Sequence, residues 1–390
     1  MARQGNRRSW ALLVTIAGGL FGCGGGTYSQ EPVVQKNSPP QRVLRAEPSG
    51  EESNSEPSEL TPSLNDAPPN PPPVAERFPD APFPPADPGA PFSRSAHEGD
   101  GKWEPFFKAQ SSNKKETRRF EVVSADFSSD AVRRMVIHPH EASRFQTLTL
   151  AAFDLRVLSV AHHPGKKDVG DVGRADLEDQ AGLVPKSEQE GLVAIFNGGF
   201  QPRHGRWGML SLGEQLVPPR DDACTVAVMK DGSVQIAPWP VLKEKQEEIA
   251  AYRQTPPCLV IEGDVHPRLK RKDRKPWAGQ HADRKTRRRS VVGVSADGRT
   301  LLAGVGSETE PEVLAAGMRH AGAKYAAQLD INWNWTRLFL FQNLEGDVKP
   351  LGSLIPDMAR DRGEYITRAG ARGFFYLTRR DEDGRSDSTR

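Results

Sequence analysis

The stretch "EPEVLAAGMRHAGAKYAAQLDI", Glu310–Ile331, changes its apolar period halfway along. Val313, Leu314, Gly317, Met318 and Ala321 recur at helical spacing, which predicts an amphipathic helix with Gly322 as its C-terminal cap. "KYAAQL" then reads as a strand that delivers Asp330 at its end. A helix feeding a strand that ends in a carboxylate predicts the α/β (α+β) class: one domain, a mixed β-sheet flanked by helices, and functional groups at strand ends.

The residues that follow are unusual for a buried strand. "LDINWNWTRLFLF", Leu329–Phe341, sets Asp330, two asparagines and two tryptophans at the head of an apolar run. An unpaired polar group in an apolar interior costs roughly 2 to 7 kcal/mol. Either the segment faces a cleft or its polar groups pair internally. In the first case Asp330 serves as general acid, base or nucleophile, and Trp333 and Trp335 offer faces on which a sugar ring stacks. In the second, Asp330 caps neighbouring N–H groups beside core tryptophans.

Upstream, strand signals dominate. "TLTLAAFDLRVLSVA" (Thr147–Ala161) alternates in parts, and "GLVAIFNGGF" is a short apolar run ending in Asn197, Gly198 and Gly199. "ACTVAVMKDGSVQIAPW" and "SVVGVSADGRTLLAGV" each place Asp-Gly between β-rich runs, the signature of a hairpin. "GKKDVGDVGRADLEDQAGLVPKSEQEG" reads as a long surface excursion with a helical turn or two.

The ends of the chain are of another kind. Residues 1–23 hold a basic start (Arg3, Arg7, Arg8), an apolar stretch from Trp10 to Phe21, and Cys23, the pattern of an export signal. "LFGC" resembles a bacterial lipobox, which would make Cys23 a lipidated residue; a plain signal peptide is the alternative. By resemblance to Gram-negative lipoproteins, Gly24 rather than Asp after the cysteine favours the outer membrane as the place of the anchor; a secreted protein is the alternative. Residues 24–101, rich in Pro, Ser and Glu, lack periodicity and read as a disordered tether. The folded domain is expected over 102–380 and a polar tail over 381–390. The 390 residues carry a net charge of only +2, so any electrostatic preference must be local. With three cysteines in all, Cys224 and Cys258 are left either to bond in an oxidising compartment or to stay as buried thiols.

Four stretches can carry chemistry. Gly198 and Gly199 permit close ligand approach beside the Asn197 amide. "RQTPPCLVIEGDVH" brings Arg253, Gln254 and Glu262; "RRRSVVGV" places Arg289 at a strand mouth, where its donor fork can bind phosphate. Asp330 is the fourth. Each has a structural reading as a turn, a framework strand, a solvated arginine or a cap. His204, on the loop after Phe200, is a rim candidate. No zinc spacing, phosphate-binding loop or dinucleotide fingerprint appears, so no metal or cofactor is predicted.

In order, Asn197-Gly198-Gly199-Phe200, then Gln254, Pro257, Leu259, Val260 and Gly263, then Arg289, Gly293 and Val294, then Leu329-Asp330 resemble the phosphodiester glycosidase family over about Arg133–Leu377. That resemblance implies an exported hydrolase of a glycosyl phosphodiester, with Asp330 and Arg289 catalytic. Asn197, Gly198, Gly199, Asn332, Arg253, Gln254, Glu262, Trp333 and His204 would bind substrate, with Asp264 or Asp222 as further partner carboxylates. One departure stands out: Ile331-Asn332-Trp333 replaces the family's glycine-rich continuation and resembles a bacterial branch with L-D-I-N and Trp. The alternative is a saccharide-binding or structural envelope lipoprotein that does not cut.

The expected partners are a phosphorylated glycan or envelope saccharide and, through Cys23, a membrane. Arg268–Arg289 contains eleven Lys and Arg. It raises a nucleic-acid reading that the export signal opposes, leaving a solvated loop or attraction to an anionic envelope polymer.

Overall fold

The computed structural model describes residues 82–92, 94–106, 131–278, 286–344, 346–356, 358 and 363–380. The leader with Cys23, most of the expected tether, the tail and part of the basic run lie outside these residues. No helix among them is long and apolar enough to cross a membrane.

The domain is α+β, built from three antiparallel sheets. The largest runs in the order Glu104–Pro105, Val132–Ile137, Thr147–Asp154, Thr300–Thr309, Arg287–Ser295, Ala323–Gln328, Val260–Ile261, Asp264–Val265. A second orders Asp347–Ser353, Leu338–Leu344, Leu192–Asn197, Phe374–Arg379 and Leu158–His163. The third orders Glu214–Val217, Met209–Ser211, Ile249–Thr255, Cys224–Met229 and Val234–Pro238.

Both Asp-Gly pairs close hairpins. Gly232 (φ 77°) and Gly298 (φ 72°) occupy the left-handed positions, and each aspartate accepts from the N–H two residues on, Asp231 from Ser233 and Asp297 from Arg299. The predicted helix forms over Pro311–His320 and buries Val313, Leu314, Gly317 and Met318, with Gly322 left-handed after it. It lies close to the sheet at Gly317, where a Cβ would stand 2.6 Å from Leu148 Cδ2.

Alternation along Thr147–Asp154 divides the apolar interior. Leu148 and Leu150 join the helix side, with Leu302, Leu314, Met318 and Trp277. Ala151 and Phe153 face the other way, into a core shared with Phe196, Leu340 and Phe375 of the second sheet. "TLTLAAFDLRVLSVA" is therefore two strands in different sheets. The break follows from Asp154, buried in the turn and held by Arg299 Nη2 at 3.1 Å and by Arg156.

Cys224 and Cys258 are joined by a disulfide that ties the third sheet to the segment entering the first. The tether boundary also shifts. Residues 82–101 were expected to lack structure, yet Gly101 N–H bonds the Val136 carbonyl at 3.0 Å and Asp100 lies 2.9 Å from His138 Nδ1. Phe83 packs against the helix-side core.

Candidate active site

The strand Leu192–Asn197 is buried throughout and stops where Gly198 meets Gly373. Gly198 donates to the Gly373 carbonyl at 2.8 Å, and a Cβ on Gly198 would lie 2.8 Å from that carbonyl carbon. No larger residue fits between the two chains. Gly199, at φ 98°, turns toward Thr255 and Leu329. The ends of three sequence-distant strands thus meet at one point.

Leu329 carries Asp330 into the same place. Ser290 clamps the Asp330 backbone: its N–H and its hydroxyl donate to the Asp330 carbonyl at 2.9 and 3.0 Å, and Asp330 N–H returns to Ser290 Oγ. The carboxylate Oδ1 accepts from Ile331 N–H at 2.7 Å. Burial pushes the Asp330 carboxyl up to about 6, and nearby Asp168 pushes the same way. Arg372 and the Ile331 and Asn332 N–H groups oppose the rise.

Asp168 comes from the supposed surface excursion. It lies on the short helix Lys166–Asp171 and is 3% exposed, its Oδ2 accepting from Gly165 N–H at 3.0 Å and from Gly373 N–H. Burial raises its pKa against the pull of Arg253, those two N–H groups and Arg372. Arg372, stacked 4.6 Å over Trp335, feels both Asp330 and Asp168. Arg253 is buried and donates to the carbonyls of Trp207 (2.7 Å), Gly208 (3.0 Å) and Phe200, which fixes the loop after Phe200. Desolvation lowers its pKa to about 10, so it stays cationic at neutral pH.

His162 completes the group. Ser211 Oγ donates to the His162 carbonyl at 3.1 Å and lies 3.2 Å from Nδ1. With the hydroxyl proton committed to the carbonyl, Nδ1–H is the donor to Ser211, and Nε2 carries the lone pair. Burial, then Arg253 and His163, hold the ring's pKa well below its usual value, so it is neutral. A Cβ on Gly373 would meet Asp168 Oδ2 at 2.8 Å and His162 Nε2 at 3.5 Å, which places both groups around that glycine.

Several buried atoms on these segments have no protein partner among the described residues: Asn197 Nδ2, Gln201 Nε2, His162 Nε2, Arg372 Nε and Thr336 Oγ1. Each such atom costs about 1–3 kcal/mol if nothing bonds it. Of these, His162 Nε2 lies with the Asp168 carboxyl around Gly373, and Asn197 and Arg372 flank the Gly198–Gly373 contact, so unpaired polar groups and buried carboxyls share one region, as in a polar ligand site.

Other expected site residues are placed differently. Asn197 stands at the end of its strand beside this group, its Oδ1 accepting from Arg337 N–H at 3.3 Å. His204 sits half-buried on the rim, where burial, then Arg372 and Arg203, lower its pKa. Asn332 and Trp333 line an adjoining open cavity of about 430 Å³ with Arg287, Arg288 and Glu308.

Arg289 does not face Asp330. It donates to Thr309 O (3.0 Å), Trp277 O (2.9 Å) and Gln328 Oε1 (2.7 Å) on the helix side. Strand alternation sends Arg288 and Ser290 to one face and Arg289 to the other. Gln254 is saturated by framework bonds to Gly208 N–H, Arg220 N–H, Arg220 O and Thr225 Oγ1. Glu262 is exposed and bonds Tyr325 and Lys324, while Asp264 and Asp222 pair with Lys270 and Arg220 on the surface.

Asp168, Arg372 and His162 join this group without standing out in the sequence. The traces available were the glycine start of "GKKDVGD", the glycines flanking Arg372, and a His pair closing a strand. Among the described residues no three His, Cys, Asp or Glu side chains gather to hold a metal ion.

No family model matches the chain, and no curated protein sequence matches it. Among solved structures it is similar to the zebrafish N-acetylglucosamine-1-phosphodiester alpha-N-acetylglucosaminidase catalytic domain, auto-inhibited by its pro-peptide. Identity there is 11% and TM-score 0.38, over 73% of this chain and 96% of that one. A Synechocystis protein shares 12% identity with TM-score 0.40, over 64% of this chain and 62% of that one. A Burkholderia pseudomallei protein described as exported shares 12% with TM-score 0.24, over 60% and 74%.

Proposed function

We propose that the chain is an exported hydrolase that cleaves a glycosyl phosphodiester at the sugar carbon, with Asp330 and Arg372 as its catalytic residues. The observation that carries the reading is the pair of buried carboxyls, Asp330 and Asp168, sharing the field of Arg372 among partnerless polar groups. The ordered sequence motifs that resemble phosphodiester glycosidases support the same chemistry.

The leaving phosphate monoester has a second pKa near 6, so its departure needs little protonation. Water must instead be activated. Asp330, titrating at about 6, takes the proton from water attacking the anomeric carbon as the carbon–oxygen bond to phosphate breaks. Arg372 receives the charge developing on the phosphate oxygens. Asp168 positions Arg372 and holds up the pKa of Asp330, while Arg253 fixes the loop beneath. Asn197 Nδ2 and His162 Nε2 supply one donor and one acceptor for sugar hydroxyls. Arg289 has no part in this scheme.

The test is release of reducing sugar from glycosyl-1-phosphodiesters by the purified full chain, with Asp330→Asn and Arg372→Ala alongside. Turnover by the parent, lost in both variants, supports the reading. Saccharide binding without turnover by the parent would point to a binding protein instead. Lipidation at Cys23 belongs to the same proposal, and mass analysis of the mature N-terminus tests it.

A further inference from the structure

Arg372 is held in a different way from Arg253 and Arg289. Those two are fixed by hydrogen bonds, Arg253 to the carbonyls of Trp207, Gly208 and Phe200, and Arg289 to Thr309, Trp277 and Gln328. Arg372 Nε is buried with no partner among the described residues, and Asp330 and Asp168 reach the guanidinium through charge rather than through a hydrogen bond. The contact that the group does make is with an aromatic face: its guanidinium carbon lies 4.6 Å from the centroid of the half-buried Trp335 ring. A cation over an indole is attracted by the ring's quadrupole without occupying an N–H donor.

The ring is fixed by its own segment. Asn332 Oδ1 accepts from Asn334 N–H at 2.9 Å, and the Asn332 carbonyl accepts from the N–H groups of Trp335 and Thr336, each at 3.0 Å. The residues after Asp330 therefore close a turn that sets the indole. A second guanidinium lies over the same ring, that of Arg337, with its carbon 4.8 Å from the centroid. Arg337 is itself tied down, by Nε to the Asn334 carbonyl at 2.7 Å, by Nη1 to Glu364, and by its backbone N–H to Asn197 Oδ1 at 3.3 Å. The backbone on either side of Arg372 is pinned as well: the Ala371 carbonyl accepts from Lys167 N–H at 3.1 Å, and Gly373 N–H donates to Asp168. With root and ring both fixed, the guanidinium is aimed while its Nε donor stays open.

We propose that Trp335 is a positioning residue, whose indole face holds the Arg372 guanidinium toward Asp330 in place of the hydrogen bonds that orient the other arginines. The inference deepens the hydrolase reading and rests on it for the effect on rate; for the effect on Arg372 itself it rests on the ring contact alone. Without the ring, the long side chain is free to take other rotamers. A phosphodiester already bears one negative charge when bound and gains a second as it departs, so the loss falls on kcat more than on KM.

The experiment is steady-state release of reducing sugar from a glycosyl-1-phosphodiester by the full chain and its Trp335→Ala, Trp335→Phe and Trp335→Leu variants, with Trp335→Ala repeated in an Arg372→Ala background. Trp335→Ala should lower kcat by about ten-fold, the size of a partly desolvated cation–π contact, and change KM less. Trp335→Phe keeps an aromatic face and should stay within about three-fold of the parent; Trp335→Leu fills space without one and should resemble Trp335→Ala. In the Arg372→Ala background Trp335→Ala should change the rate by less than about two-fold, because residues that act through one another are not additive. An unchanged kcat in Trp335→Ala, a Trp335→Leu variant as active as Trp335→Phe, or the full loss persisting in the Arg372→Ala background overturns the proposal. A second readout needs no turnover. In protein labelled at the arginine nitrogens, the Nε–H resonance that disappears in Arg372→Ala should carry a ring-current shift that is lost in Trp335→Ala and Trp335→Leu and kept in Trp335→Phe. Should the parent show no turnover while this pattern holds, the hydrolase reading falls and the positioning of Arg372 by Trp335 stands. A resonance indifferent to Trp335→Ala overturns the positioning whatever the turnover.

Discussion

The Gly373 N–H donates to the carboxylate of Asp168, from a segment more than two hundred residues away in the chain. The same glycine's carbonyl accepts from Gly198. One backbone unit therefore fixes both the end of the Asn197 strand and a buried acid. Gly373→Ala would drive a Cβ to 2.8 Å from Asp168 Oδ2 and 3.2 Å from the His163 carbonyl. The expected cost is about 1–3 kcal/mol in urea denaturation, with turnover reduced as Asp168 is displaced. An unchanged midpoint would contradict the close packing.

Asp330→Asn should raise stability at neutral pH while removing activity. The folded pKa of Asp330, about 6, lies above the ordinary aspartate value of 3.8, so its contribution is fully present below 3.8 and is lost as pH rises through 6. The parent and the variant should match near pH 4. Above pH 7 the variant should be more stable by up to about 3 kcal/mol, the equivalent of some two pKa units. Denaturation curves at the two pH values check this.

Turnover should rise with pH through an apparent pKa near 6, because only the ionised Asp330 accepts a proton from water. A rate that falls across that range would assign Asp330 as the acid instead.

The two arginines should separate by phenotype. Arg289→Ala removes bonds to Thr309, Trp277 and Gln328 inside the helix-side core, and a loss of about 3–5 kcal/mol is expected with turnover per folded molecule preserved. Arg372→Ala should keep most of the stability and lower turnover by about a hundred-fold or more. Melting curves and rates on matched samples check both.

Reducing the Cys224–Cys258 disulfide should lower stability by about 3–4 kcal/mol, from the loop of 34 residues it closes. Paired denaturation with and without reductant measures it.

What was legible in the sequence was local. Asp231-Gly232 and Asp297-Gly298 specify hairpins within four residues, and the Val313–Met318 spacing specifies a buried helical face. Asn197 and Asp330 could be singled out because Asn-Gly-Gly and Asp-Ile-Asn interrupt apolar runs. Arg287-Arg288-Arg289 offers no such contrast: which arginine faces the site depends on strand alternation, and Ser290, clamped to Asp330, sets that register. Asp168 was illegible for another reason. Nothing around it is apolar enough to announce burial, and its environment is built by Gly373 and Arg372 from the far end of the domain.

The eight-stranded sheet has an apolar layer on each side, one under the helix Pro311–His320 and one shared with the strands that carry Asn197. It acts as a partition wall, and the proposed site lies on one side of it. Exposed Arg319, on the far side, is thus a place to mount a fluorophore or an immobilisation handle, where the attachment would ride on the fold without intruding on the reaction.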